Sequence, residues 1–225
     1  MIKAVLFDMD GTVLDTETMY RRAWKSALDR TGYEFSEKLF NNCVGLPIPM
    51  CKKLINEHFD NPDLFDIVFP MAASWAHNYK KMNGIPVKTG FFELSDFLKK
   101  EGIKSVIATS TSHEAAVGDL ASSKIIDRFN GIIGGDDVGK GRGKPGPDPY
   151  IKAAALAGFH VDECIAVEDS INGIHSAHTA NVKCVYIRDF LDIPREIQPM
   201  IYKEVDTLDK IIDIIKELGT ARDCD

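Results

Sequence analysis

Apolar residues fall in short, nearly unbroken runs at five places: "KAVLF" (3–7), "KSVIAT" (104–109), "GIIGG" (131–135), "ECIAVE" (163–168) and "KCVYI" (183–187). Continuous runs of this kind predict strands covered on both faces, whereas a strand with one wet face alternates. The segments between them repeat at helical spacing. In "FFELSDFLKKEG" (91–102), Leu94, Phe97 and Leu98 share one face and Gly102 ends the pattern. "PDPYIKAAALAG" (147–158) carries Pro149 in its first turn and stops at Gly158. Strand and helix in alternation predict an α/β fold, a doubly wound, Rossmann-like parallel sheet.

Residues 16–87 break that rhythm. Tyr20, Ala23, Trp24, Ala27 and Leu28 keep helical spacing up to Gly32, and further apolar helical patterns run through 50–59 and about 64–82. The Gly/Pro-containing "NGIPVKTG" (83–90) returns the chain to the alternating pattern. The expected organisation is an α/β core from 1–15 and 88–225 with an all-helical cap, 16–87, inserted after the first strand. Linkers near 15–17 and 83–89 are its expected hinges. The tail "GTARDCD" is expected to fray.

Composition narrows the class without changing the fold. The chain has 225 residues, 44% hydrophobic and 27% charged, enough to bury a sizeable core. A net charge of -7 argues against nucleic acid as a partner. A small anion stays possible, because a metal ion or local lysines reverse the potential inside a cleft. Cys43, Cys51, Cys164, Cys184 and Cys224 are dispersed, with no CxxC pair, and are expected to be reduced. No signal-like start or membrane-length apolar stretch stands out, so the expectation is a cytoplasmic, non-membrane protein, monomeric by default.

In a parallel sheet the polar residues just after each strand meet at one edge, where such folds bind ligands. Asp8 and Asp10 come after the first run, Ser110, Thr111 and Ser112 after the second, Lys144 lies after the third, and Glu168 and Asp169 close the fourth. Singly, Asp169 or Ser170 reads as a helix cap and Lys144 as a solvated lysine. Asp8 and Asp10 are harder to dismiss, since adjacent carboxylates repel unless a cation lies between them. Together these types suit phosphoryl transfer. Carboxylates make an oxygen-rich site for Mg²⁺, and one of them, Asp8, can attack phosphorus. The hydroxyls with a helix start can hold phosphate oxygens, Lys144 can steady the transferring group, and Asp10 can move the proton.

These residues carry a resemblance. "FDMDGT" (7–12) resembles the DxDG[TV] signature of the haloacid dehalogenase-like superfamily of phosphohydrolases. "ATSTS" (108–112), "GKPGPDPY" (143–150) and "VEDSINGI" (167–174) resemble its remaining three signatures, in order over essentially the whole chain. The segment "LDTETMYRRAWKSAL" (14–28) resembles the start of the cap in the subgroup of β-phosphoglucomutases and sugar-phosphate phosphatases. The resemblance implies Asp8 as nucleophile and Asp10 as acid/base, with Ser110, Thr111 and Lys144 on the phosphoryl group. It implies Mg²⁺ held by Asp8, Asp10, Asp169 and Glu168, Glu168 coordinating directly or through water, while Gly11 and Thr12 shape the turn.

Phosphatases and mutases of that subgroup share all of these groups and differ in the cap. At the positions aligned with the mutases' cap histidine, arginine and lysine this chain carries Tyr20, Ile48 and Trp75, the second of them within "CVGLPIPMCKK" (43–53). Lys52 or Lys53 is the available substitute. Without a cationic clamp a bisphosphate would be held poorly, which favours a phosphatase of a small phosphorylated metabolite, a sugar phosphate first among them. The alternatives are a β-phosphoglucomutase-type mutase and a non-catalytic phosphate-binding or signalling protein. Trp24 and the Tyr20 face are expected to be mostly cap core, His77 to serve surface or packing, and Arg142 to sit in a flexible basic loop.

Overall fold

A computed structural model describes residues 1–43, 46, 48–188 and 193–219. At the centre lies β1 (Ala4–Phe7), buried along its whole length. It pairs in parallel with β2 (Lys104–Ala108) on one side and β4 (Cys164–Glu168) on the other. β3 (Gly131–Ile133), β5 (Lys183–Ile187) and β6 (Ile201–Val205) complete a six-stranded, wholly parallel sheet in the order β3-β2-β1-β4-β5-β6. The order reverses direction at β1, the place where parallel sheets open a crevice at their carboxyl ends.

The chain divides into two compact units, one of residues 1–15 and 86–225, the other of Thr16–Ile85. In the first, α5 (Phe91–Glu101), α6 (His113–Ser122), α7 (Asp148–Ala157), α8 (Ile171–Thr179) and α9 (Ile211–Leu218) connect or succeed the strands. α5 ends at Gly102 and α7 at Gly158, as their spacing predicts. α7 packs small side chains, Ala153 and Ala154, with Tyr150 against the sheet beside Ala4, Leu6, Val106 and Ala166. Cys164 and Cys184 are buried in strands as small apolar groups.

The second unit holds α1 (Thr16–Thr31), α2 (Glu37–Cys43), α3 (Ile48–His58) and α4 (Leu64–Asn83). Trp24 packs its ring on Phe65 and Phe69, with centroids 5.8 and 6.3 Å apart. The apolar pattern does not predict α2; only Leu39 of it is buried, so its sequence carries little amphipathic signal. Nor does the pattern predict β6, because Tyr202, Lys203 and Glu204 are exposed on the sheet edge. The run at 131–135 ends as a strand at Ile133, two residues short of its apolar pattern. The tail 220–225 with Cys224, expected to fray, and part of the segment 43–53 lie outside the described residues.

Candidate active site

Asp8 comes directly after β1, and its backbone N–H donates to Val167 O of β4 at 2.9 Å, so the two strand ends run level. This brings Asp8 and the end of β4, Glu168 and Asp169, to one place. Lys144 reaches them from the loop between β3 and α7. Its side chain is 4% exposed, with Nζ 2.5 Å from Asp8 Oδ1 and 2.6 Å from Glu168 Oε1. Burial works against the ammonium, but Asp8 and Glu168 outweigh it and hold Lys144 above its ordinary value. Burial pushes Asp8 well above the usual carboxylate range; Lys144 opposes this, while Glu168 and Asp169 add to it.

Glu168 is fully buried, and both its oxygens are engaged. Oε1 also accepts from the Tyr150 hydroxyl at 2.6 Å, and Oε2 from the Ser170 hydroxyl at 3.1 Å. Ser170 caps α8 by accepting from Gly173 N–H at 3.0 Å, which is the capping role its position suggests. The carboxylate lies so close to that helix that a Cβ on Gly173 would fall 1.8 Å from Oε1. On the facing loop Gly11 takes φ +84°, and a Cβ there would lie 2.1 Å from Asp169 Oδ2. Thr12 donates its hydroxyl to Asp169 Oδ1 at 3.0 Å.

Asp8, Glu168 and Asp169 each offer an oxygen within 4.8 Å of the others. Three carboxyl groups make an all-oxygen donor set, which fits a hard divalent cation and does not suit a soft one. The Asp10 side chain is not in this group; it accepts a hydrogen bond from Thr111 Oγ1 at 2.8 Å. Thr111 thus meets Asp10 as well as standing at the end of β2 with the exposed Ser110. All of these residues belong to one unit.

The three cap positions divide. Tyr20 and Ile48 line one cavity of the helical unit, whereas Trp75 lines a separate depression and stacks on Tyr79, with centroids 5.0 Å apart. Lys52 and Lys53 pair with Asp66 (2.6 Å) and Glu57 (3.8 Å). Arg142 pairs with Asp148, and His77 is exposed.

Three residues contribute in ways the sequence does not announce. Tyr150 closes the "GKPGPDPY" stretch and lies in a helical pattern, but its hydroxyl has no role there; a single large ring on a face of alanines is the trace it leaves. Asp136 and Asp137, after β3, tie down the start of α6: Asp136 Oδ1 accepts from His113 N–H at 2.7 Å, and Asp137 Oδ2 lies 2.8 Å from His113 Nδ1. Asp137 also accepts from Gly134 N–H at 2.7 Å, which holds its carboxyl below the usual range. Two consecutive acids after a strand and glycines are the available signal.

Residues 5–187 match the haloacid dehalogenase-like hydrolase family. The chain belongs to that family. The phosphorylated carbohydrates phosphatase of Thermotoga maritima is 27% identical over 195 residues, spanning 82% of this chain and 84% of its own length. The fructose-1-phosphate phosphatase YqaB of Escherichia coli is 26% identical over 186 residues, spanning 82% and 95%. Among solved structures, a hydrolase of this family from Deinococcus radiodurans, with bound phosphate and sodium, has a TM-score of 0.81 at 21% identity over 97% of this chain and 96% of its own. A β-phosphoglucomutase from Clostridium difficile has a TM-score of 0.62 at 23% identity, covering 96% of each chain. Both share the fold.

Proposed function

We propose that the protein is a Mg²⁺-dependent phosphatase of a small phosphorylated metabolite, of the sugar-phosphate class, working through an aspartyl-phosphate. The observation that carries this reading is Asp8 at the carboxyl end of the central strand, 2.5 Å from a buried lysine and beside two further acids. In this reading an Asp8 carboxylate oxygen forms a bond to phosphorus as the bond from phosphorus to the ester oxygen breaks. Asp10 gives its proton to the departing alkoxide. It then takes a proton from the water that attacks the aspartyl-phosphate, which releases inorganic phosphate and restores Asp8. Lys144 stabilises the charge on the transferring oxygens, and Ser110 and Thr111 hold them. Asp8, Asp169 and the Asp10 carbonyl would hold Mg²⁺, with Glu168 orienting that set through Lys144, Tyr150 and Ser170 contacts. The ion would neutralise the acids and polarise the phosphoryl group. Relatives named for phosphorylated carbohydrates and fructose 1-phosphate support the substrate class.

The test is phosphate release from p-nitrophenyl phosphate and a panel of sugar phosphates. Turnover with Mg²⁺, stopped by EDTA and by Asp8→Asn, is expected. Interconversion of β-glucose 1-phosphate and glucose 6-phosphate, dependent on a bisphosphate, would replace this reading with a mutase.

A further inference from the structure

Inside the helical unit, α1, α2, α3 and α4 surround a cavity of about 220 Å³. Its walls are the rings of Trp24, Phe35, Phe40, Phe59 and Phe65, with Ile55 among them. Tyr20, Ile48 and Phe69 also line it and are exposed, so it opens to the surface at an apolar rim. Protein interiors are close-packed, with few voids larger than a water molecule. An apolar cavity of about 150 Å³ in another protein stays dry and accepts benzene. The space here is larger and more aromatic.

We propose that this cavity is a binding site for a single uncharged apolar ring, aromatic or alicyclic. Its volume admits one substituted ring. The rings around it offer edges and faces for stacking. Among the described residues no Lys, Arg or His lines it, so it supplies no cation for a phosphate. Ser36, Cys43 and Cys51 give only small polar edges. Such a ring has two sources: a separate molecule, or the organic group of a phosphate ester, in which case the preferred ester carries an apolar ring in place of a sugar.

Toluene is the probe. The chain has two tryptophans, so Trp75→Phe leaves Trp24, in the cavity wall, as the sole indole. Titrating toluene into that full-length variant is expected to give a saturable shift in Trp24 emission. The shift is expected to survive Cys51→Ser and to be lost in Cys51→Phe, whose ring fills the space; Ser36→Leu is the alternative filling variant if circular dichroism shows that Cys51→Phe has not folded. No saturable shift with Trp75→Phe alone, or an undiminished shift in a folded filling variant, overturns the proposal. Competitive inhibition of p-nitrophenyl phosphate hydrolysis by toluene would assign the cavity to the ester's organic group. Binding that leaves KM unchanged would assign it to a separate molecule. The fluorescence arm needs no turnover, so its failure is distinguishable from failure of the phosphatase reading.

Discussion

Removing one oxygen atom from Tyr150 isolates the support of the buried acid. The ring is 0% exposed and packed in the core, and its hydroxyl donates to Glu168 Oε1 at 2.6 Å. Tyr150→Phe keeps the ring and leaves little new space, so the cost is mainly one hydrogen bond to a charged acceptor, about 1.5–3 kcal/mol. At this chain length that corresponds to a fall in Tm of roughly 3–12 °C. Lys144 still holds Oε1 at 2.6 Å, which keeps the loss below the ~3–5 kcal/mol of an abandoned buried charge. Burial, reinforced by Glu168, raises the Tyr150 hydroxyl well above its ordinary value. Its contribution is therefore complete below the unfolded value, about pH 10, and is lost as pH rises through the folded one. Urea unfolding of both proteins, at neutral pH and again at alkaline pH, measures the difference. A stability change under about 0.5 kcal/mol at neutral pH, within the range of an ordinary surface substitution, would refute the reasoning.

Gly173→Ala should exceed that loss, at about 3–5 kcal/mol, because its Cβ would displace Glu168 from Lys144, Tyr150 and Ser170 together; near-native stability in thermal unfolding would contradict it. Thr111→Val removes the 2.8 Å hydrogen bond to Asp10 and should lower kcat by about 10- to 100-fold while the fold, monitored by circular dichroism, is kept. Mg²⁺ at about a hundred times its Kd should stabilise the protein by about 2.7 kcal/mol, reversibly with EDTA, and Asp169→Ala should abolish the gain in a thermal-shift assay.

The legible part of this fold is the part with one dominant physical signal. Val5, Leu6, Val106, Ile165 and Val185 lie in strands buried on both faces, and such strands must be apolar throughout. β6 escapes because an edge strand tolerates Lys203 and Glu204, and α2 because Leu39 alone of its residues is buried. The acids and Lys144 can be gathered from the sequence because parallel strands deliver the residues at their carboxyl ends to one edge. Tyr150 cannot, since its hydroxyl meets Glu168 through tertiary packing eighteen positions away. Thr111 is gathered to that edge with the acids, but its bond to Asp10 is not legible, since it joins loops after different strands, 101 residues apart.

The stretch that leaves β1 is stitched shut a few residues further on. Asp15 N–H donates to Pro86 O at 2.7 Å, Lys88 N–H to Val13 O at 2.9 Å, and Leu14 bridges Val87 in antiparallel fashion. To the sheet, residues 16–85 amount to no more than the tip of a hairpin. Closure entropy rises slowly with loop length, and the stem already holds the ends together. The inserted segment is therefore a portable cassette: it can be lengthened, exchanged for another, or cut back to a short turn with the strands still in register. Whatever residues 16–85 recognise can be rewritten, by selection or by an engineer, while Asp8, Lys144, Glu168 and Asp169 stay where they are.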